Sequence, residues 1–467
     1  MEKNNKTSEL VNNIFLFFIA NFLPKAITFF MVPLYTYCLT TNEYGTVDLI
    51  ITTIQLLLPI LTLGVQDAML RFAMEKSNKK TDVLTIGMRI VVLGTIVLFV
   101  CCNIGKCFGI IKIDTTYLFL FEILYFAEAL RCVISYFCRG IDKISILTIS
   151  NILMTFVTVI CNLIFLLKFK WGITGYLSAM CIGNIVAVLI MFIWGRIYKY
   201  IKLTVYDKKL TKSIISFSIP LIFSALAWWV NTSLDKYILN YFYGASSVGL
   251  MAVAYKIPSI LSLFGTTIAN AYSISAIKEF DRNDTDGFLG KSYSLINTVF
   301  VVMSSFLMLI NIYISKILFS KEFFEAWNYV PPLLLSALVS QLSLTCQQYY
   351  IAMKKTTIIS ITAIIGALIN LIANILLIPK YSAYGAGIAT ALSFFIVWLI
   401  RYIILVNCFR LKLKHNFKIE CITYVLLIIQ LILAYFGEQF ISIQFLIFIC
   451  IVIIYLKNFR DRSILNE

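Results

Sequence analysis

The chain has 467 residues, 60% hydrophobic and 13% charged, with a formal net charge of +16 and a mean hydropathy of +0.90. Soluble domains average about 45–50% apolar and about 25% charged residues, so the composition excludes a water-soluble enzyme and points to a membrane protein. The cysteines lie mostly inside apolar runs (Cys101, Cys161, Cys181, Cys450), no CxxC pair occurs and the single histidine is His415. A disulfide framework, a His-based metal site and a bound cofactor are therefore not expected.

A membrane-spanning helix takes about 20 apolar residues. Fourteen such runs begin near residues 11, 46, 84, 116, 144, 173, 213, 247, 293, 328, 357, 384, 419 and 440. The first follows Lys3 and Lys6, and no small-x-small cleavage site comes after "IFLFFIANFL". It reads as a retained span rather than a signal peptide. Asn21, Lys25 and Thr28 share one of its faces, beside Pro24. In the second span Asp48, Thr52, Gln55, Pro59, Thr62 and Gln66 recur at steps of 3 and 4, which places them on one side of a helix. Arg89 lies near the cytoplasmic end of the third span, where it can snorkel. The fourth carries Glu128, Arg131 and Ser135, the first two one turn apart and able to neutralise each other; the fifth carries Asn151, Thr155, Thr158 and Asn162.

A basic linker over 196–212 follows the sixth span. The seventh holds Ser224, Trp228, Asn231 and Asp235 at helical spacing, with Lys236 next to Asp235. The eighth continues the pattern with Lys256, Ser259, Leu263, Thr266 and Asn270. Charged groups inside a bilayer are costly and face a partner or a water-filled cavity. The first, second, seventh and eighth spans are accordingly expected to line a cavity, with Lys25, Asn21, Gln55, Asn231, Asp235, Lys236, Lys256 and Trp228 as its binding residues. Asp48, Glu128 and Asp235 are the candidates to bind a coupling ion. The tenth span, counterpart of the fourth, carries Gln341, Thr345 and Gln348. Polar side chains of this kind also hydrogen-bond between packed helices, the reading preferred for the fifth span.

Basic residues alternate along the chain: 28 of the 39 lysines and arginines, Arg401 among them, fall on the connections that share a side with both ends, and 7 on the opposite side. The positive-inside rule then places both termini in the cytoplasm, and the charge is explained without nucleic acid. The two halves are alike. "KWGITGYLSA" aligns with "YSAYGAGIA", pairing Gly175 with Gly385 and Ala179 with Ala389, and "TTNEYG" corresponds to "GASSVG". Repeats of this kind are common in secondary transporters, whose substrate sites lie between them. The expected architecture is an all-α polytopic membrane protein of about 14 transmembrane helices. Residues 1–200 and 201–412 would form two six-helix lobes around a central cavity, and 413–467 two additional spans and a cytoplasmic tail.

"LDKYILNYFYGASSVGLMAVAYKIP" resembles the helix seven–eight signature of Wzx-type polysaccharide flippases: Asp235, Lys236, Gly244, Val248, Gly249, Ala254, Tyr255 and Lys256 match, while Met251 stands where the family usually has Tyr. "FFMVPLYTYCLTTNEYGTVDLI", "LGVQDAMLRF" and "NLIANILLIPKYSAYGAGIATAL" fit in the family's order. The resemblance covers nearly the whole chain. It implies the multidrug/oligosaccharidyl-lipid/polysaccharide exporter superfamily, two six-helix lobes, and a flippase, not an enzyme. Its cargo would be undecaprenyl-diphosphate-linked oligosaccharide, turned to the outer leaflet of the bacterial inner membrane for O-antigen, capsule or related polymers. Membrane lipids and the pathway's polymerase and chain-length machinery would be its partners. Lys25, Lys256 and Lys236 suit the diphosphate, and Trp228, Trp229 and Tyr255 suit sugars. Two alternatives stand beside it. A cation-coupled drug antiporter of the same superfamily would have a more acidic centre, and a membrane polysaccharide polymerase would have a large outer loop bearing catalytic Arg or His.

Overall fold

Lipid offers no partner to a backbone N–H or C=O, so each apolar run satisfies its own backbone by coiling into a helix. The computed structural model describes residues 24, 26–75, 78–110, 113–202, 207–413 and 416–464. Among the described residues there is no strand, and the helices follow the fourteen runs in order. The first span is described over Ala26–Cys38. The second is Thr41–Leu61, continued by Val65–Met74, the third Lys80–Cys107 and the fourth Thr115–Gly140. The fifth is Ile144–Lys168 and the sixth Gly172–Ile193. The seventh and eighth share the long helix Lys208–Ala254, bent at Gly244, and the eighth resumes at Pro258–Lys278. The ninth is Phe288–Leu318 and the tenth Val330–Ala352. The eleventh and twelfth share Thr356–Ile403, bent at Ser382. Phe417–Tyr435 and Ile441–Ile464 complete the chain.

Local chemistry sets these ends. Thr40 and Glu43 form a reciprocal capping box that starts the second span, and Asp114 accepts from the Thr116 N–H to start the fourth. At Gly244 the backbone takes φ 80° and ψ 173°, a conformation open to glycine alone without strain. The second span ends in a left-handed pair, Leu63 and Gly64.

The chain packs as two compact units, Met1–Trp229 and Val230–Glu467, and the boundary falls within the seventh span. In the first unit Ile54, Met69, Leu84, Leu124, Tyr125 and Phe137 form the buried centre. Its third span comes so close to the second that a Cβ on Gly94 would collide with the Leu61 carbonyl. In the second unit Tyr293, Phe300, Phe323, Tyr349 and Tyr350 are fully buried. The last two spans dock on the ninth through polar pairs: Tyr424 donates to Asn297 Oδ1 at 2.7 Å, Asn297 donates to the Tyr455 hydroxyl at 3.3 Å, and Ser305 donates to Gln430 Oε1 at 2.6 Å. Such bonds and close packing hold helices together where lipid removes the hydrophobic drive between them.

Arg401 departs from the sequence reading, which placed it on a cytoplasmic connection. It is buried inside the twelfth span. Its guanidinium donates to Thr362 Oγ1 at 2.9 Å, to the Ser343 carbonyl and hydroxyl at 3.0 and 2.9 Å, and to Gln347 Oε1 and the Ile359 carbonyl at 3.4 Å. Arginine's fixed fork of five N–H donors makes so complete a solvation possible.

Within each unit, connections that correspond in the sequence lie beside one another. In the first unit a Cβ on Gly172, in the turn between fifth and sixth spans, would lie 2.8 Å from Glu43 Oε1 at the start of the second span. In the second unit Tyr243, between seventh and eighth spans, donates to the Pro379 carbonyl beside the turn between eleventh and twelfth. The paired glycines both permit tight hairpins: a Cβ would meet Phe165 Cβ at 3.1 Å from Gly175 and the Leu377 carbonyl at 2.5 Å from Gly385.

Candidate functional site

The eighth span is interrupted after Ala254, where Tyr255, Lys256 and Ile257 form a turn before Pro258 starts the next helix. Proline suits a first helical turn because its missing N–H would have had no partner there. The break brings Tyr255 against the seventh span, where its hydroxyl donates to Asp235 Oδ2 at 3.0 Å. Asp235 is 2% exposed, and its Oδ1 accepts from the Lys236 backbone N–H at 2.9 Å. The carboxylate thus ties the break in one helix to the flank of another. Lys236 and Lys256 are half-buried. Beyond the break Ser259, Thr266 and Thr267 are exposed, and each hydroxyl lies within bonding distance of its own helix: Ser259 to the Lys256 carbonyl at 2.6 Å, Thr266 and Thr267 to that of Leu263 at 3.1 and 3.0 Å.

One turn before Asp235, Asn231 is buried and donates to the Ala363 carbonyl at 3.3 Å. Its Oδ1 lies 3.4 Å from the Ser393 hydroxyl, which in turn lies 2.8 Å from the Gly366 carbonyl. Asn231 therefore joins the seventh span to the eleventh and twelfth. Asn231, Asp235, Lys236 and Lys256 belong to the second unit; Trp228, Gln55, Asp48 and Glu128 belong to the first.

In the first unit the two adjacent tryptophans divide. Trp228 is 57% exposed, whereas Trp229 is buried and its indole N–H donates to the Thr52 carbonyl at 3.0 Å. The second span's polar row is mixed. Gln55 is exposed and Asp48 half-buried, but Thr52 and Thr62 are buried, with hydroxyls that donate to the Asp48 and Leu58 carbonyls at 2.6 Å. Glu128 and Arg131 form an ion pair at 3.6 Å, and Arg131 Nε donates to Asn184 Oδ1 of the sixth span at 2.6 Å. Asn21 and Lys25 lie outside the described residues. Thr28, on their face, is exposed and donates to the Pro24 carbonyl at 2.8 Å.

The partnership of Asp235 with Tyr255 was not legible beforehand, since a spacing of twenty residues across a bend has no periodic signature. Nor was the pair of Asn103 with buried Glu122, 3.1 Å apart between the third and fourth spans. Among the described residues no three His, Cys, Asp or Glu side chains converge as a metal site.

Residues 10–274 match the family described as "Polysaccharide biosynthesis protein". One relative is the probable low-salt glycan biosynthesis flippase Agl15 of Haloferax volcanii, 23% identical over 221 residues, 46% of this chain and 47% of the relative. The match thus spans about half the length of that relative. The fold is similar to that of the lipid II flippase MurJ in an inward closed conformation, with a TM-score of 0.73 at 16% identity over 96% of this chain and 100% of that one. It is also similar to an inward-facing multidrug resistance MATE transporter of the MOP superfamily, with a TM-score of 0.66 at 11% identity over 84% and 94% of the two chains. A MOP superfamily transporter from Pyrococcus furiosus follows, with a TM-score of 0.58 at 12% identity over 85% and 95%. At these identities the likeness is one of fold.

Proposed function

The chain belongs to the polysaccharide biosynthesis protein family, and from that premise we propose that it is a flippase, moving a lipid-linked glycan across the membrane by alternating access. The observation that carries the proposal is the broken eighth span. Lys256 sits at an interruption pinned by Asp235 and Tyr255, followed by a row of exposed hydroxyls. A diphosphate-linked sugar needs cationic donors for the phosphates and polar or aromatic groups for the sugar. Irregular backbone at membrane depth is tolerated where it is buried in protein or lines a cavity, and the exposed hydroxyls beyond this turn favour the cavity. The flippase relative and the MurJ-like fold support the same reading.

In this account the cargo is undecaprenyl-diphosphate-linked oligosaccharide, carried to the outer leaflet of a bacterial inner membrane with both termini of the protein in the cytoplasm. Residues 1–200 and 201–412 are the two lobes and 413–467 an addition. Lys25, Lys236 and Lys256 take the diphosphate and Trp228 the sugars, with Asn21, Gln55 and Asn231 completing the substrate-binding set. Asp48, Glu128 and Asp235 are the groups that bind a coupling ion.

Thermal unfolding of the detergent-solubilised protein tests cargo class. Undecaprenyl-diphosphate-linked oligosaccharide should raise the midpoint saturably, because a ligand that binds only the folded state stabilises it. A saturable rise with a lipophilic cationic drug, and none with the lipid-linked sugar, would make the chain a drug transporter instead.

A further inference from the structure

The fifth span presents Phe156, Ile160, Leu163, Ile164 and Leu167 outward along one side, each 40–53% exposed. At its end the helix widens into a π-turn over Leu163–Lys168, and a left-handed Lys170 reverses the chain into Gly172. The apolar side is thereby continued by a ring cluster. Trp171 stacks on Phe165 with centroids 4.9 Å apart and on Phe169 at 5.1 Å. Trp171 and Phe169 are about half exposed. Lys168 and Lys170 flank the rings and are exposed, Lys168 Nζ lying 5.8 Å from the Phe169 centroid.

Two other lysines that close spans, Lys106 and Lys316, are held by their own chain. Lys106 donates to Thr115 Oγ1 at 2.5 Å, and Lys316 pairs with Glu438. No described side chain bonds to Lys168 or Lys170. Stacked rings at the end of an outward apolar side lie where aromatic residues settle at the headgroup level of a bilayer, and two uncommitted ammonium groups beside them have the charge to meet a phosphate.

We propose that this corner, Phe165, Lys168, Phe169, Lys170 and Trp171, is a docking surface for an anionic phospholipid headgroup, which fixes the depth of the first unit in the membrane. The outward apolar side of the same helix argues for lipid over a soluble sugar: the rings continue a surface already turned to acyl chains.

Quenching by brominated lipids in reconstituted vesicles tests it, with the Trp171 signal read as the difference between the unsubstituted protein and Trp171→Phe. Basic residues near an anionic surface attract its headgroups. Brominated phosphatidylglycerol should therefore be enriched at Trp171 on the order of tenfold over brominated phosphatidylcholine. The preference should vanish in Lys168→Ala/Lys170→Ala and survive in Lys168→Arg/Lys170→Arg, in Lys106→Ala and in Lys316→Ala. Equal quenching by the two lipids in the unsubstituted protein would overturn the proposal, as would a preference that the double alanine variant keeps. Protection of Trp171 by a soluble disaccharide in the absence of any lipid preference would overturn it in favour of a sugar platform.

Discussion

The second and eighth spans carry polar residues at the same spacing and treat them differently. Thr52 and Thr62 are buried, the first beneath Trp229, while the third span presses on the same helix where Gly94 meets Leu61. Ser259 and Thr266 are exposed, on a helix that has just been interrupted at Tyr255–Ile257. In both helices the hydroxyls lie against carbonyls of their own backbone. A period of 3 and 4 therefore says which residues share a side, and the neighbours decide whether that side is packed or open. In the eighth span Ser259 and Thr266 are exposed beyond the break, and at the break the Tyr255 hydroxyl donates to the buried Asp235.

Four experiments probe this contrast. Asp235→Ala should have the largest effect. It removes the acceptor of the Tyr255 hydroxyl, and a hydrogen bond to a charged group contributes about 1.5–3 kcal/mol. Transport by normally expressed protein should fall on the order of 10- to 100-fold, with Asp235→Asn and Tyr255→Phe losing less. Gly94→Val should follow, forcing the second and third spans apart and destabilising the first unit by about 1–3 kcal/mol, read as a lower midpoint in thermal unfolding. Third, in a cysteine-free background, cysteines at Ser259 and Thr266 should react with a small water-soluble thiol reagent on the order of tenfold faster than cysteines at Thr52 and Thr62, as buried thiols are shielded. Equal rates would erase the distinction between the spans. The smallest effect belongs to Thr266→Val: the exposed hydroxyl makes only a local bond to its own helix, and the unfolding midpoint should move by less than the equivalent of about 0.5 kcal/mol.

The helix order was legible because a span needs about 20 apolar residues whatever its tertiary setting. Even the polar fourth span, with Glu122, Glu128, Arg131 and Arg139, could be counted by length. The Glu128–Arg131 pair was legible as well, since residues three apart on a helix are neighbours by construction. The interruption at Tyr255 was hidden, because Pro258 alone reads equally as a helix start or a kink. Arg401 was misplaced because a charge near the end of an apolar run resembles a loop residue. Its burial depends on Ser343, Thr362 and Gln347, which come from other spans and have no local signature. The split of Trp228 from Trp229 is likewise decided by a partner, the Thr52 carbonyl, 177 residues away.

Transfer between leaflets decides whether the protein is a flippase. Purified protein is reconstituted into vesicles holding a fluorescent undecaprenyl-diphosphate-linked oligosaccharide in both leaflets, and an impermeant reductant is added outside. With active protein the reductant should bleach nearly all of the fluorescence within minutes, while Asp235→Ala and Lys256→Ala vesicles should stop near the half that faces outward. Bleaching that halts at half with the unsubstituted protein, in vesicles where its fold and insertion are verified, would contradict the account.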